Sequence, residues 1–370
     1  METRLILVST PLRIRRGDFF VEGCMIYPTI PVFDADVAEQ ARNRQNELTK
    51  PLGALGQLEA LSIQLAGITG QVRPHFPRKA VIIMAGDHGV ALEGVSAYPP
   101  EVTPQMVLNF LEGGAAINVL ARQAGAWVRI VDIGVAYDFE DHPQLIRRKI
   151  AKGTQNMLKG PAMSRAQAEE AIQVGLDVIA MEAQNGLDLV ATGEMGIGNS
   201  TPSAAITAVL TGLPVAQVTG RGTGVDDGGL KRKIEVIEQA IDINQVDPGD
   251  PLGVLAKLGG FEIAGLAGVV LGAASQRIPV VVDGFISGAA ALVAAALDPA
   301  VKPYLIASHQ SVEIGHKAIW DHLGLKPLLN LGLRLGEGSG AVLAFHLVEA
   351  AARILDEMAT FGEAGVSDKQ

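Results

Sequence analysis

One carboxylate stands among glycines near the C-terminal end of the sequence. In the segment LGLRLGEGSGA, Glu337 lies between two glycines and three residues after Arg334. A sheet core has no use for a charge at such a position, and a solvated loop would not need so much glycine. A positioned carboxylate can accept a proton from a reacting group, so Glu337 is a candidate general base. The alternative role is a charge that stabilises a helix N-terminus, which would leave Arg334 and the glycines unexplained.

Two glycine-rich segments could hold an anion. TGRGTGVDD (219–227) precedes a helical pattern with Lys233 near its start, and GEMGIGNSTPSAAI (193–206) offers amide and hydroxyl donors. Glycine-rich turns at helix N-termini expose backbone N–H groups that can bind phosphate. A lysine at that end of a helix does not help the helix, so Lys233 is better explained by an anionic ligand. The alternative is a plain turn beside a solvated basic patch.

Several other kinds of site are disfavoured by the motifs. No GxxxxGK[ST] sequence occurs, which argues against a nucleoside triphosphatase, and no well-placed GxGxxG with a later acidic residue supports a dinucleotide site. His88, His309 and His316 form no HxxxH or HExxH pattern, and Cys24 is the single cysteine. We therefore expect no metal site. His88 has an alternative role as a hydrogen-bonded loop residue.

The elements that must position these residues alternate between strand-like and helical patterns from Lys79 onward. Runs rich in Val and Ile without alternation are typical of strands buried on both faces. They are AVIIMAG, WVRIVDIG, LDLVATGE, PVAQVTG, IPVVVDG and YLIAS. Helical patterns lie between them, so the sequence predicts an α/β fold with a mainly parallel sheet flanked by helices.

Helical patterns also occupy both ends of the chain. One covers 34–69 with an interruption at Pro51, and the tail SGAVLAFHLVEAAARILDEMATFG is a single long amphipathic pattern. We expect 34–75 and 338–370 to form a smaller helical domain, with 76–337 as the large α/β catalytic domain. Residues 1–33 differ from the rest and form an unassigned leader.

Polar residues follow the strand-like runs directly. In an open α/β sheet, ligands bind at the carboxyl ends of the strands. The residues at those positions combine glycine with a polar or charged neighbour: Gly86-Asp87-His88-Gly89, Asp132, Gly193-Glu194, 220–224, Asp283-Gly284 and Ser308-His309-Gln310. Together they predict the face that carries the function.

Composition limits the partners. The formal net charge is −10 and the pI about 5.2, which argues against a nucleic-acid surface. One cysteine excludes an internal disulfide framework and fits a reducing cytoplasm. The longest apolar runs, such as 285–297, are shorter than the roughly 20 residues that span a bilayer. The chain also starts without a signal-peptide pattern. We expect a cytoplasmic protein that contacts neither nucleic acid nor membrane.

Taken together, the motifs resemble a known family. IIMAGDHGV, GEMGIGNSTPSAAI, TGRGTGVDD, VVDGFISGAAAL, ASHQSVEIGHKAIW and LNLGLRLGEGSGAVLA occur in this order and spacing. The chain resembles the nicotinate-nucleotide–dimethylbenzimidazole phosphoribosyltransferases over 34–361. The resemblance implies a homodimer with a large Rossmann-like domain and a small helical one. It also implies transfer of phosphoribose from β-nicotinate mononucleotide to 5,6-dimethylbenzimidazole or a related base, with no metal, cofactor or phosphoribosyl pyrophosphate.

The same resemblance implies roles for individual residues. Glu337 matches the general base, Arg334 and Lys233 match residues that contact the phosphate, and Glu194 matches a second glutamate at the site. Three residues fall where the family lines its benzimidazole pocket: Ser96, Tyr98 and Gln105. The remaining positions predicted to bind substrate lie within the matching motifs: Gly196, Gly198, Asn199, Gly222, Thr223, Gly224 and Leu335.

The chemistry of that reaction fits one carboxylate. Nicotinate leaves a pyridinium as a neutral ring nitrogen and needs no acid. The attacking imidazole becomes positively charged, and its other N–H must then lose a proton, which Glu337 can accept. Attack from the face opposite nicotinate converts a β-nucleotide into an α-nucleotide.

Three alternatives remain open at the level of sequence. The motif VDD (225–227) followed by glycine would suit a phosphoribosyltransferase that uses the pyrophosphate donor and Mg²⁺. A non-catalytic module could store or deliver a nucleotide or base. A member of the same family could prefer a purine or a phenol, because pocket shape rather than motif sets that choice.

Overall fold

The computed structural model describes residues 20–21, 24–25 and 27–367. Two short 3₁₀ turns cover Gly89–Glu93 and Pro299–Tyr304. The strands are β1 (Phe20–Val21), β2 (Cys24–Met25), β3 (Lys79–Gly86), β4 (Ala126–Gly134), β5 (Leu145–Arg147), β6 (Leu189–Met195), β7 (Val280–Val282) and β8 (Leu305–Ala307). The helices are α1 (Ala35–Glu47), α2 (Gln57–Thr69), α3 (Val102–Glu112), α4 (Ala116–Ala124), α5 (Arg165–Gln184), α6 (Ser200–Thr211), α7 (Val215–Val218), α8 (Asp227–Ile243), α9 (Pro251–Leu258), α10 (Phe261–Ser275), α11 (Phe285–Leu297), α12 (Ile314–Leu323), α13 (Ser339–Glu357) and α14 (Phe361–Ala364).

A six-stranded parallel sheet forms the centre of the molecule. Its strand order is β5-β4-β3-β6-β7-β8, and every pairing within it is parallel. Each of the eight residues of β3 is buried, because helices cover both faces of the sheet. This arrangement confirms the predicted α/β fold with a parallel sheet. It also brings the carboxyl ends of the strands to one edge, where the polar residues of the motifs lie.

One face of the sheet is covered by helices that approach each other closely through glycine. An added Cβ on Gly268 of α10 would lie 2.0 Å from the carbonyl oxygen of Ile172 in α5. The same addition at Gly175 of α5 would meet the carbonyl oxygen of Gly265 at 2.0 Å. The two helices can pack at this distance only because both carry glycine at the contact. The small-residue composition of α10 is thereby explained by packing.

The other face of the sheet is covered by α13 together with helices from the N-terminal part of the chain. Phe345 of α13 is fully buried in a cluster with Val81 and Ile83 of β3. The two chain ends also meet directly, since Arg44 of α1 donates from Nε to the carbonyl oxygen of Leu355 over 2.6 Å. Helices α1, α2 and α13 therefore pack together, while α13 also contacts β6 and β7. The proposed boundary between a small helical domain and the catalytic domain stays a prediction.

One predicted strand is a helix, and one strand was not predicted. PVAQVTG is not a strand: Pro214 precedes the short helix α7, in which Val215 and Val218 are three residues apart and Val218 is buried. A short apolar run cannot be assigned to strand or helix by periodicity alone. Strand β5 was missed because its three residues lie in a charged segment and pair only with β4 at the sheet edge.

The predicted leader, 1–33, falls partly outside the described residues. Within the described part, β1 and β2 form an antiparallel pair, and 27–33 lie against the main body. Tyr304 donates its hydroxyl to the carbonyl oxygen of Pro31 over 2.7 Å. Ile30 is buried in the main core. The segment from residue 27 onward is therefore part of the packed structure.

Candidate active site

Glu337 lies in a strained turn directly before α13, in the segment that links α12 to α13. Its φ is +64°, and its neighbours Gly336 and Gly338 have φ of +85° and +94°. A residue with a side chain rarely adopts this left-handed conformation, and such strain persists only where the surroundings impose it. The carboxylate is 6% exposed, and Oε2 accepts a hydrogen bond of 3.2 Å from the backbone N–H of Ile117 in α4. The turn thus presents one carboxylate in a fixed place.

The pKa of Glu337 is raised above its usual value. Burial is the main cause, and the negative charge of Asp283 adds to it, while the hydrogen bond from Ile117 acts in the opposite direction. A carboxylate with a raised pKa is a better base near neutral pH. The geometry and the electrostatics therefore agree with the role predicted for this residue.

The turn lies directly against the end of β6. An added Cβ on Gly193 would come within 2.5 Å of the carbonyl oxygen of Glu337, and one on Gly336 within 2.2 Å of Glu194 Oε1. Glycine is required at both positions because backbone and carboxylate occupy the space of a side chain. The glycines around Glu337 thus allow two chain segments and two acidic residues to meet.

Glu194 is the second acidic residue of the site. It is 6% exposed, and Oε2 accepts a hydrogen bond of 2.5 Å from Asn199 Nδ2. Burial raises the pKa of Glu194 to about 8, although the bond from Asn199 lowers it; the charges of Asp283, Glu262 and Glu337 also raise it. At neutral pH this carboxyl group is therefore mostly protonated, and Glu337 is the better candidate for accepting a proton.

Lys233 is fully buried beneath the glycine-rich turn 220–224. Its Nζ donates to Ser200 Oγ over 2.7 Å and to the carbonyl oxygen of Gly220 over 3.3 Å. Burial lowers the pKa of Lys233 to about 8, and the charge of Glu313 acts against this shift. Ser200 is the first residue of α6, so the ammonium group lies at a helix N-terminus, where a cation is disfavoured and an anion is stabilised.

The start of α8 differs from the prediction in one respect. Asp226 caps this helix through a 2.8 Å hydrogen bond from the N–H of Gly229, so a carboxylate already occupies its N-terminus. Asp227 forms an exposed ion pair with Arg221. The acidic residues of the VDD motif therefore have structural partners, and Lys233 points away from the helix terminus toward α6.

Arg334 reaches the same turn from the other side. Its Nη1 lies 3.4 Å from the carbonyl oxygen of Gly222, and an added Cβ on Gly224 would be 3.9 Å from that nitrogen. The side chain is otherwise exposed, as is Leu335 beside it. Gly222 is also restricted, since an added Cβ would meet Ser200 Oγ at 2.5 Å. The turn thus lies between two cationic side chains.

The segment predicted to line a base pocket lies on the far side of this turn. Ser96 Oγ is 3.1 Å from Thr223 Oγ1, and the N–H of Ala97 donates to Thr223 Oγ1 over 2.9 Å. Tyr98 is 56% exposed, and Gln105 lies on an exposed part of α3. Ser96 and Thr223 are brought together, whereas the side chains of Tyr98 and Gln105 remain open to solvent.

The loop 196–199 is held by close contacts at its glycines. An added Cβ on Gly196 would lie 2.3 Å from the carbonyl oxygen of Gly86, and Gly198 has a φ of +92° beside Ala91. The N–H of Ile197 donates to Thr103 Oγ1 over 3.1 Å, which ties the loop to α3. These contacts position Asn199 for its bond to Glu194.

Two buried pairs at the strand ends were not foreseen from the sequence. His88 Nε2 lies 2.8 Å from Glu262 Oε1. Asp283, after β7, accepts backbone N–H groups from the first turn of α13. Asp283 and His88 were recognised as residues that follow strands, but no pattern indicated their partners. Glu262 lies within an apolar helical run, and an unpaired charge in such a run was the signal that could have identified it.

A metal site and a membrane span were both expected to be absent. His309 and His316 do contact each other, with ring centroids 5.7 Å apart. Within residues 27–367, no group of three or more His, Cys, Asp and Glu side chains converges in a way that could hold a metal ion. No helix of that part combines the length and apolar character needed to cross a bilayer.

Comparison with known proteins identifies similar chains across nearly the full length. The profile of a family described as phosphoribosyltransferase matches residues 30–366. The chain is 62% identical over 337 residues to the nicotinate-nucleotide–dimethylbenzimidazole phosphoribosyltransferase of Chloroflexus aggregans, covering 91% of this chain and 96% of that one. It is 63% identical over 339 residues to the protein of the same name from a Roseiflexus species, covering 92% and 96%.

A solved structure is also similar. The crystal structure of the phosphoribosyltransferase of that name from Thermus thermophilus superposes with a TM-score of 0.87 at 48% sequence identity. The match covers 91% of this chain and 100% of the Thermus chain. The α/β architecture is thus shared with that protein.

Proposed function

Because the chain belongs to the family of nicotinate-nucleotide–dimethylbenzimidazole phosphoribosyltransferases, we propose that it transfers phosphoribose from nicotinate mononucleotide to 5,6-dimethylbenzimidazole. The products are α-ribazole 5′-phosphate and nicotinate, and the reaction would serve the nucleotide loop of cobalamin. The observation that carries the proposal is the buried Glu337 carboxylate with its raised pKa. It lies three residues after Arg334, whose Nη1 is 3.4 Å from the carbonyl oxygen of Gly222, and Lys233 bonds to Gly220 of the same glycine-rich turn.

The reaction is a displacement at C1′ of the ribose. One imidazole nitrogen of the base forms the new bond to C1′ as the bond from C1′ to the nicotinate nitrogen breaks. The electron pair of the broken bond stays on nicotinate, which becomes a neutral pyridine ring. The proton on the other imidazole nitrogen passes to Glu337. Because bond formation and cleavage take place on opposite faces, the β-nucleotide gives an α-nucleotide.

Glu337 supplies the base for this step. Its raised pKa makes the carboxylate a stronger base, closer in pKa to the imidazole N–H group that gives up the proton. The fixed turn removes the cost of orienting it. General-base assistance of this kind contributes roughly 10²- to 10⁴-fold in rate. Alignment of the two substrates accounts for further acceleration. Protonated Glu194 would serve as a hydrogen-bond donor within the site rather than as a second base.

The 5′-phosphate would bind at the turn 220–224. Lys233 contacts Ser200 at the N-terminus of α6. Arg334 contacts the carbonyl oxygen of Gly222 in the turn. A phosphate between them would accept from both cations and from the backbone N–H groups of Gly222 and Thr223. It would also supply the negative charge that a buried ammonium group at a helix N-terminus lacks. Gly196 and Gly198 would keep the facing loop close without obstructing the ribose.

The attacking base would lie between Glu337 and the segment that contains Ser96, Tyr98 and Gln105. Leu335, which is exposed and adjacent to Gly336, would cover one face of the ring. Tyr98 and Gln105, both open to solvent, can adjust to the ring that binds. Preference among benzimidazoles, purines and phenols would be set by these side chains.

The direct test is turnover by the purified protein. It is incubated with nicotinate mononucleotide and dimethylbenzimidazole in EDTA, and α-ribazole 5′-phosphate is followed by chromatography. We expect product from the wild type and far less from Glu337→Gln. Turnover only with phosphoribosyl pyrophosphate and Mg²⁺ would overturn the donor assignment. Binding of the nucleotide or the base without turnover under either condition would indicate a non-catalytic binding module.

The assembly and cellular location belong to the same proposal. The resemblance implies a homodimer, and light scattering coupled to size-exclusion chromatography would report a mass of about twice the 38.7 kDa of the chain. We place the reaction in the cytoplasm, where a single free cysteine would remain reduced. The reaction as written uses neither a metal ion nor a cofactor.

A further inference from the structure

The buried carboxylate of Asp283 takes part in no chemical step of the proposed reaction. It follows β7 and is 1% exposed. Its Oδ2 accepts from the N–H of Gly338 over 3.1 Å, and its Oδ1 accepts from the N–H of Ala341 over 2.9 Å. The backbone groups of Gly340 and Gly284 donate to it as well. One side chain thus accepts from four backbone donors, three of which belong to the segment that carries Glu337.

These bonds replace a missing helix cap. The first N–H groups of a helix have no partner within the helix and usually bond to the side chain at the N-cap. Helix α13 has Gly338 at its N-cap, which has no side chain to offer. Asp283 supplies the acceptor from a neighbouring strand. The glycine permits the left-handed turn, and the distant carboxylate compensates for the cap that glycine cannot provide.

Asp283 is itself held on both sides. Its N–H donates to Thr192 Oγ1 of β6 over 3.2 Å, and its carbonyl oxygen accepts from Ser308 Oγ, which follows β8, over 3.2 Å. The residue is thereby fixed to the sheet through its two neighbouring strands. A displacement of Asp283 would be passed to Gly338 and then to Glu337, which is the adjacent residue.

We infer that Asp283 is a positioning residue for the general base, because it holds the strained turn that carries Glu337 and places a second negative charge behind that carboxylate. The inference rests on the proposed function. It assigns to Asp283 a role through Glu337 rather than contact with the substrate.

The charges around this pair define the electrostatic part of the role. Burial raises the pKa of Asp283 to about 7, although its four backbone bonds lower it. His309 Nδ1 lies 4.0 Å from Asp283 Oδ1, but burial lowers the pKa of His309 to about 4, so this ring is neutral near pH 7. Glu194, from β6, faces the same region and is mostly protonated there. The charge of Asp283 raises the pKa of Glu337, and with its own pKa near 7 Asp283 is only partly ionised at neutral pH.

Asp283→Asn removes the charge together with one of the two acceptor oxygens. An asparagine keeps the size but removes the charge and presents an NH₂ group where backbone N–H groups already donate. We expect the Glu337 carboxyl to titrate at lower pH in this variant, because the negative charge of a neighbour is lost. We expect turnover to fall about 100-fold, because small displacements of catalytic groups carry penalties of this size.

The decisive measurement is the titration of Glu337 itself. Proteins labelled with ¹³C at the glutamate carboxyl carbon are titrated by NMR, and Glu337→Gln identifies the signal. The titration does not depend on turnover, so an inactive wild type would remove the proposed function without removing this test. The acid limb of kcat/KM is recorded in parallel. It should shift to lower pH in Asp283→Asn.

Asp132 provides a matched control. It is a buried aspartate near the end of β4, 1% exposed, that accepts from the N–H of Val135 and pairs with Lys149 over 2.9 Å. Asp132→Asn should lower stability without moving the Glu337 titration. A similar shift in both variants would mean a general electrostatic effect and would overturn the assignment.

Two further outcomes are informative. If Asp283→Asn lowers turnover equally at every pH and Glu337 titrates as in the wild type, Asp283 is only structural and the inference is wrong. If that variant does not fold, Asp283→Ser is used, since it keeps an oxygen acceptor. Failure of both to fold would assign Asp283 to stability alone and would also overturn the inference.

Discussion

Lys233 Nζ lies 2.7 Å from Ser200 Oγ, and the contact joins the buried face of α8 to the first residue of α6. Both hydrogen-bond partners of the ammonium group are neutral oxygens. A buried charge whose hydrogen-bond partners are all neutral is costly to a folded protein. The cation is thus retained at the expense of stability, which is expected where an anionic ligand is to be bound.

Removal of this cation should weaken phosphate binding. In Lys233→Met we expect KM for nicotinate mononucleotide to rise roughly 10- to 100-fold, as for loss of a hydrogen bond to a charged group. The melting temperature should stay the same or rise, because methionine carries no charge to bury. Steady-state kinetics and calorimetry test the two parts. The control is Lys231→Met, whose side chain is 80% exposed and pairs with Glu235; it should leave both quantities unchanged.

The lowered pKa of Lys233 predicts a pH dependence of binding and of stability. Above pH 8 the free enzyme loses the ammonium proton, so KM for nicotinate mononucleotide should increase in the wild type and not in Lys233→Met. Between about 8 and the ordinary value of 10.5, the unfolded chain holds a proton that the folded chain has released. Stability should therefore rise with pH across this window in the wild type. The same rise in the methionine variant would assign it to another group.

The sequence predicted the face of the sheet that carries the site, but not the contacts within it. Glu194 and Glu337 could be assigned to one site because the resemblance to the family implied both positions. The hydrogen bond that the N–H of Gly338 donates to Asp283 could not be predicted, since its partners are 55 residues apart and backbone N–H groups leave no mark in the sequence. The burial of Lys233 was also hidden, because α8 carries three basic residues in succession and only its packing shows which one points inward.

The raised pKa of Glu337 predicts that loss of its charge lowers activity but raises stability. Glu337→Gln should lower kcat by roughly 10²- to 10⁴-fold, because the proton acceptor is lost. Since the folded pKa is raised above the ordinary 4.5, the charged carboxylate opposes folding, and this cost grows as pH rises above 4.5. The glutamine variant should therefore gain stability over the wild type above that pH.

A second variant isolates the backbone strain at the same position. Glu337→Gly should be inactive as well, and it releases a left-handed conformation that costs about 1–2 kcal/mol for a residue with a Cβ. Part of this gain is offset by the greater freedom of glycine in the unfolded chain, about 0.5–1 kcal/mol. Urea unfolding at neutral pH measures the balance. A glycine variant less stable than the wild type would show that the carboxylate stabilises the turn rather than strains it.

The buried pair of His88 and Glu262 should stabilise the protein in a pH-dependent way. Burial would lower the pKa of His88, but the charges of Glu262 and Asp87 outweigh it and raise the pKa. Because the folded pKa lies above the ordinary 6.5, the pair contributes stability that is complete below pH 6.5 and lost as pH rises through the folded pKa. Glu262→Gln should cost about 3 kcal/mol at pH 6, as for a broken buried pair, and less at pH 9.

The exposed pair of Arg353 and Glu357 serves as the control, with side chains 69% and 55% accessible. Glu357→Gln should change stability little at either pH, because solvent screens an exposed pair. Turnover should also fall in Glu262→Gln, because an added Cβ on Gly196 would lie only 3.2 Å from His88 Nε2, so a shifted ring would press on the loop that holds Asn199. Equal losses of stability at both pH values would mean that His88 is neutral in the folded protein and that the pair acts through an uncharged hydrogen bond.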